Sequence, residues 1–168
     1  MIRETYLAAV KDAVSPGDTV FDISRLEEEK GSVSPLAPSR ELLEDWNSGR
    51  IVWKVYVERY YQELRESKAA NSLIAEIAEL AARKDVWLVG EEKEYPCHRF
   101  LVKQVIERIL VARGFLSGLE DYSTHYDLFK NRTRPEILAL TRRNSQGPAG
   151  TRRQKQALLP LLGRETDE

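Results

Sequence analysis

The stretch VWLVG at residues 86–90 decides the predicted fold. It carries no charged side chain and follows a charged turn at residues 83–85. A short, uninterrupted apolar run of this kind is typical of a strand that is buried in a parallel sheet. The run TVFDI at residues 19–23 is rich in β-branched and aromatic side chains, and it predicts a second strand.

Between these two strands, apolar residues recur at the intervals that are typical of helices. Ser39 is placed to cap a short helix that ends near Gly49. A second helix is predicted from apolar residues at helical intervals, and a third over residues 69–83. A strand, a helical crossover and another strand predict a parallel pair. We therefore expect a single compact α/β domain with a small, mostly parallel sheet flanked by helices.

The segments on either side of this unit are less regular. Residues 3–10 fit either a strand or a short helix. After the second strand, Pro96 is placed to open a helix that Gly114 ends. The run NSQGPAG at residues 144–150 predicts a flexible linker. We expect the α/β domain to span residues 1–122, and residues 123–168 to form a basic, partly flexible C-terminal extension.

Composition favours a soluble globular protein. Of the 168 residues, 42% are hydrophobic and 32% are charged. Cys97 is the single cysteine, so the chain does not resemble a small secreted disulfide scaffold. The first residues are charged where a signal peptide would be apolar, and no run approaches the roughly 18 apolar residues of a membrane span. We expect a cytoplasmic protein with no membrane partner.

Positive charge is concentrated near the C-terminus. The net charge of the whole chain is −1, yet residues 131–155 carry seven cations and a single glutamate. Such a segment would neutralise nucleic-acid phosphates without reading their sequence. It would equally suit an acidic protein partner or a solvated extension. The candidate phosphate contacts are the paired arginines Arg142, Arg143, Arg152 and Arg153.

The consecutive residues Cys97, His98 and Arg99 form the main candidate for chemistry. They follow a predicted strand and begin the next helix, a position where α/β folds place ligands. The helix N-terminus and the neighbouring cations predict a lowered pKa for the Cys97 thiol. Cys97 would then be the nucleophile, His98 a base or charge partner, and Arg99 a clamp for an anionic substrate. The alternative is that Cys97 only fills space in the core.

Residues outside this motif are further candidates for the same site. Neighbours on a helix point about 100° apart, so a base other than His98 is expected, with His125 or Glu91 as candidates. Asp22 and Arg25 lie at the end of the first predicted strand and would meet Cys97 at one sheet edge, unless they form local ion pairs. Tyr61 would line a cleft, whereas most neighbouring aromatic residues are expected in the core.

Metal-ligand spacing is missing from the sequence. One cysteine and two histidines offer no paired-cysteine or paired-histidine pattern. The sequence therefore predicts no metal site and no cofactor.

Three ordered blocks resemble the family catalogued as domain of unknown function 488. They are LAPSRELL at residues 36–43, RYYQEL at residues 59–64, and EK at residues 92–93 followed by CHR at residues 97–99. The resemblance covers roughly residues 1–113, and it implies a compact α/β domain with a strand in the first segment. It implies no activity. Many members carry a second cysteine where this chain has Gly90, so the resemblance does not support a two-cysteine site here.

Two functions from different classes remain open at this point. The first is an anion- or small-ligand-binding domain with a thiol-dependent site at Cys97, His98 and Arg99. The second is a non-catalytic module that binds nucleic acid or an acidic protein through the basic segment. The sequence indicates neither the oligomeric state nor whether the chain is an enzyme.

Overall fold

Three parallel strands form the sheet of the structure. The computed structural model describes residues 1–25, 33–93 and 96–146, and for residues 143–146 it describes the backbone alone. The strands are β1 (Ile2–Tyr6), β2 (Thr19–Asp22) and β3 (Val86–Gly90). Their order across the sheet is β1-β3-β2, and both pairs are parallel. The predicted α/β class is confirmed, and the VWLVG stretch is the central strand.

Seven α-helices flank this sheet in the described part of the chain. A 3-10 turn at Leu7–Ala9 leads from β1 into the first of them, so the ambiguous first segment begins as a strand and ends as a helix. The helices are α1 (Val10–Ala13), α2 (Arg40–Asn47), α3 (Trp53–Glu66), α4 (Lys68–Ala81), α5 (His98–Ala112), α6 (Ser123–Phe129) and α7 (Arg134–Gln146).

The parallel register brings the carboxyl ends of all three strands to one edge of the sheet. Tyr6 of β1 pairs with Gly90 of β3, and Asp22 of β2 pairs with Val89. The Ile23 N–H also donates to the Val89 carbonyl at 2.9 Å, which extends the β2–β3 pairing past the strand end. Helix α5 follows β3 at this edge, and parallel α/β sheets place ligand sites at such edges.

The aromatic stripe of α3 forms the centre of the core. Trp53, Tyr56 and Tyr60 are buried, as helical spacing predicts. The rings of Trp53 and Tyr56 stack at 4.9 Å, and those of Tyr56 and Tyr60 lie 6.1 Å apart. Tyr60 satisfies its buried hydroxyl by donating to the Leu36 carbonyl at 2.5 Å. The core thus anchors the loop that precedes α2.

Helices α6 and α7 pack against this core. Phe129 of α6 and Ile137 of α7 belong to its buried cluster. The Trp53 N–H donates to the Arg132 carbonyl at 2.9 Å, so the start of α3 is joined to the α6–α7 turn. Helix α7 runs to Gln146, so the predicted linker is wrong for residues 144–146, and the rest of it lies outside the described residues. The division into residues 1–122 and 123–168 stays a prediction.

No membrane-spanning helix occurs among the described residues. None of their helices has the length and apolar character that crossing a bilayer requires.

Ser39 joins two helices, and its removal tests this part of the fold. Its hydroxyl accepts from the Leu42 N–H at 3.1 Å, which caps α2, and it donates to the Glu63 carboxylate of α3. We expect Ser39→Ala to lower the free energy of unfolding by about 1–2 kcal/mol in urea denaturation, because it removes both bonds. Ser48→Ala, at the exposed end of α2, is the control and should change stability by less than about 0.5 kcal/mol. Equal effects from the two variants would contradict this account of the cap.

Candidate functional site

Cys97 and His98 meet at the start of α5. Cys97 is the N-cap residue, and its backbone is extended, with φ −146° and ψ 148°. Because Cys97 lies outside the helical geometry, its side chain does not follow the 100° rotation between helical neighbours. The Cys97 Sγ and His98 Nδ1 atoms lie 3.8 Å apart. The expectation that these two side chains diverge is therefore wrong.

His98 is held in one orientation by the end of β2. Its Nε2 lies 2.8 Å from the Ile23 carbonyl oxygen, so this nitrogen carries the proton and donates it. The other ring nitrogen, Nδ1, is then the unprotonated acceptor that faces Cys97. The Tyr60 ring packs edge-on against the imidazole at 5.7 Å. Burial lowers the pKa of His98, which favours the neutral ring.

Cys97 is buried and protonated in this arrangement. Only 3% of the residue is exposed. Its thiol donates to Glu92 Oε2 at 3.2 Å. Burial and the nearby Glu92 carboxylate raise the pKa of the thiol well above its ordinary value. The predicted lowering of this pKa is wrong, because desolvation and a carboxylate outweigh the Arg99 charge and the helix N-terminus.

Arg99 is buried among groups of the chain that contact its guanidinium. It is 1% exposed, and its Nε forms an ion pair with the Glu4 carboxylate of β1. Its Nη1 donates to the Glu92 carbonyl, and its Nη2 donates to the Lys93 carbonyl at 3.0 Å. Arg99 thus ties the loop after β3 to the edge strand β1. Its role as an anion clamp stays a prediction.

Glu92 is a site residue whose contact with the Cys97 thiol was not predicted from the sequence. Its Oε2 accepts from the Cys97 thiol, while its Oε1 pairs with Arg134 of α7 at 3.3 Å. Glu92 and Arg134 are each 29% exposed in their side chains, so the cluster meets solvent through them. The Glu92 carboxylate and the ligand atoms of Cys97 and His98 all lie within 4.8 Å of one another. These three side chains are a set that could hold a metal ion.

The other predicted binding residues, Asp22, Arg25 and Tyr61, each have different surroundings. Asp22 accepts from the Ser24 N–H at 2.8 Å, and Arg25 donates to the Pro38 carbonyl at 2.8 Å. Asp22 lies close enough to His98 to favour its charged form, whereas the convergence of Asp22 and Arg25 with Cys97 stays a prediction. Tyr61 instead lines a surface groove of about 530 Å³ with α5 residues such as Arg108. No role of Asp22, Arg25 or Tyr61 in binding follows from these contacts alone.

The two alternative bases are not the groups that face the thiol. His125 packs edge-on against Tyr122 on α6, with ring centroids 6.1 Å apart. Glu91 is exposed, whereas its neighbour Glu92 reaches the thiol. The acceptors at Cys97 are therefore His98 and Glu92.

A protein-family model matches the part of the chain that contains this cluster. The model DUF488-N3a, described as the active DUF488-N3 subclade, matches residues 24–110, more than half of the 168-residue chain. The chain belongs to the DUF488 family. The resemblance stated from the sequence blocks is confirmed, and the matched range of this DUF488 protein contains Glu92, Cys97, His98 and Arg99. No curated protein and no solved structure matches the chain.

The four arginines that are predicted to contact phosphates follow the range that the family model matches in this DUF488 chain. Arg142 is exposed on α7, and the side chain of Arg143 is outside the described residues. Arg152 and Arg153 also lie outside them. Nucleic-acid binding through these arginines stays a prediction.

Proposed function

We propose that this DUF488 protein carries a thiol-dependent active site at the carboxyl edge of its sheet, with Cys97 as the nucleophile. One observation carries the proposal. The Cys97 sulfur lies 3.8 Å from an imidazole nitrogen whose opposite ring nitrogen is held on the Ile23 carbonyl at 2.8 Å. A nucleophile, a base within reach and a third group that orients the base are the elements of an activated thiol.

The protonation states of Cys97 and His98 suit a base that acts during the attack of the thiol on the ligand. Burial keeps the thiol protonated by raising its pKa and keeps the imidazole neutral by lowering its pKa. The thiol therefore needs a base, and His98 Nδ1 is free of a proton to receive one. As the S–H bond breaks, its proton passes to Nδ1 and the sulfur electron pair forms a bond to an electrophilic carbon of the ligand. The leaving group departs with its bonding electrons and takes the proton from His98.

Glu92 supports this transfer in two ways. Before attack its Oε2 atom accepts the thiol proton in a 3.2 Å hydrogen bond, and rotation about the Cβ–Sγ bond turns that proton to His98 Nδ1 for the transfer. Its charge favours the protonated form of His98, because the carboxylate lies beside the ring. Glu92 is held in turn by Arg134 on its outer oxygen. We assign His98 as the base and Glu92 as the group that stabilises the imidazolium.

The ligand is a small molecule that enters past Glu92 and Arg134. These are the partly exposed members of the site, whereas Cys97 and Arg99 are buried. An anionic ligand would meet the Arg134 guanidinium first. Arg99 is a positioning residue in this proposal, because its donors hold the Glu92 and Lys93 carbonyls.

Alkylation of Cys97 tests the proposal, since the chain has a single thiol. We expect iodoacetamide to modify native Cys97 faster than the protein unfolds. Because His98 supplies the base, the rate should rise as His98 loses its proton below about pH 6.5 and then level off. His98→Gln should lower the native rate by at least about tenfold at pH 7. Mass spectrometry of quenched samples gives these rates.

The controls separate a base from a packing residue. His125→Gln should leave the native rate unchanged, and all variants should react alike in urea. A native rate that equals the global unfolding rate would overturn the proposal. So would a rate that keeps climbing through about pH 8.5, the behaviour of an unassisted thiol.

A further inference from the structure

We propose that Glu92, Cys97 and His98 bind one Zn²⁺ ion, and that the bound ion prevents Cys97 from reacting. The three side chains offer a carboxylate, a thiol and an imidazole, and their ligand atoms lie within 4.8 Å of one another. The inhibitory part rests on the proposed function, whereas the binding part does not.

The spacing of the ligand atoms fits a small tetrahedral ion. Zinc bonds of about 2.0–2.3 Å with tetrahedral angles place neighbouring ligand atoms about 3.6 Å apart. Here the sulfur lies 3.2 Å from Glu92 Oε2 and 3.8 Å from His98 Nδ1. Changes of a few tenths of an ångström would bring both distances to this value. The sulfur therefore lies close to coordinating separation from both of its partners before any ion binds, and all three ligand atoms lie within 4.8 Å of one another.

Groups behind the ligands orient them for an ion. The Ile23 carbonyl accepts from His98 Nε2, which leaves Nδ1 as the coordinating nitrogen. Arg134 pairs with Glu92 Oε1, which leaves Oε2 facing the sulfur. Arg99 holds the Glu92 carbonyl and so fixes the loop that carries the carboxylate. His98 is 5% exposed, and its Nδ1 is a buried acceptor aimed at the cluster.

The chemistry of the donors selects the type of metal. Thiolate and imidazole ligands suit Zn²⁺ and other borderline-soft ions, whereas Mg²⁺ and Ca²⁺ require oxygen ligands. Three protein ligands leave a fourth tetrahedral position, which a water molecule would fill on the partly exposed Glu92 side. The sequence showed no metal-ligand spacing because the patterns sought there pair cysteines or histidines, whereas the third ligand here is the Glu92 carboxylate.

Zinc binding and thiol chemistry both use the Cys97 sulfur and His98 Nδ1, and a bound ion withdraws electron density from the sulfur. When Zn²⁺ binds, the S–H bond breaks, its proton passes to water and the sulfur coordinates the ion. Nδ1 donates its lone pair to the same ion and is no longer a base. The metal-free chain is then the reactive form, and the zinc-bound chain is inactive.

Metal titration of the full chain tests the binding part. We expect the chelator-treated protein to bind one equivalent of Zn²⁺ with a rise in melting temperature. Co²⁺ in its place should give a sulfur-to-metal charge-transfer band, and Cys97→Ser should abolish that band. Glu92→Gln and His98→Gln should each weaken Zn²⁺ binding at least about tenfold. The matched control is Glu91→Gln, which changes an exposed neighbouring carboxylate and should bind as the wild type does.

Alkylation in the presence of zinc tests the inhibitory part. One equivalent of Zn²⁺ should slow iodoacetamide modification of Cys97 at least about tenfold, and EDTA should restore it. Absence of Zn²⁺ binding, or binding that Cys97→Ser and Glu92→Gln leave unchanged, would overturn the inference even if metal-free alkylation depends on His98. If Zn²⁺ binds but metal-free alkylation is independent of His98, the metal site stands and the proposed function fails.

Discussion

Replacing Arg99 with methionine is expected to lower the free energy of unfolding by about 3–5 kcal/mol. The guanidinium is 1% exposed and pairs with Glu4, and it donates to the carbonyls of Glu92 and Lys93. Methionine fills much of the volume but leaves these carbonyls without a donor. It also leaves the Glu4 carboxylate without its counter-charge. Urea denaturation of the two proteins measures the difference.

Two further variants show which of these losses dominates. Glu4→Gln removes the ion pair and keeps the carbonyl bonds, so it should cost clearly less than Arg99→Met. Arg99→Lys keeps the charge but loses the planar set of donors, so we expect an intermediate loss. If Arg99→Met is as stable as the wild type, then the guanidinium does not hold the loop after β3. The assignment of Arg99 as a positioning residue would fall with it.

The framework of the fold was predictable because its signals are local. The VWLVG run has the length and composition of a buried strand, and the long helical crossover that precedes it requires a parallel partner. The same logic placed Cys97 and His98 at the sheet edge, where the structure has them. Residues 3–10 were ambiguous because a short apolar run fits both strand and helix, and pairing with Val86–Gly90 decides the matter for Ile2–Tyr6.

The chemistry of the site was less predictable because it depends on burial. A thiol at a helix N-terminus beside cations has a lowered pKa when water reaches it, but here Cys97 is enclosed and faces Glu92. The role of Glu92 depends on its contact with the Cys97 thiol, which no local pattern predicts. One signal was available: Glu92 stands only five residues before Cys97 in the sequence, so its carboxylate is a candidate partner of the thiol.

The burial of the charged face of α5 could not be predicted from the sequence, for a related reason. Arg99, Lys103 and Glu107 recur at four-residue intervals, as a solvated stripe does, yet all three are buried. Periodicity shows that they share a face, but it does not show what covers that face. In the structure the cover includes Glu4 of β1 and the chain around Glu120. Buried charges of this kind are stable only when each has a partner.

Replacing Lys103 with methionine should therefore also cost about 3–5 kcal/mol of unfolding free energy. The Lys103 ammonium lies 2.7 Å from Glu107 Oε1, and each of these side chains is 8% exposed. It pairs with Glu120 as well. Without the ammonium, the Glu107 carboxylate would stay buried with the Glu120 N–H as a donor at 3.3 Å and no counter-charge. Urea denaturation at neutral pH checks the loss.

A second helical pair of the same type and spacing provides the control for this last variant. Lys54 and Glu58 of α3 lie 3.9 Å apart and are 55% and 62% exposed, so Lys54→Met should change stability by less than about 0.5 kcal/mol. The double variant Lys103→Met with Glu107→Leu removes both buried charges and should be more stable than Lys103→Met alone. If the double variant is the less stable of the two, the cost of Lys103→Met does not come from an unpaired carboxylate. If both lysine variants cost the same, then burial does not distinguish the two pairs.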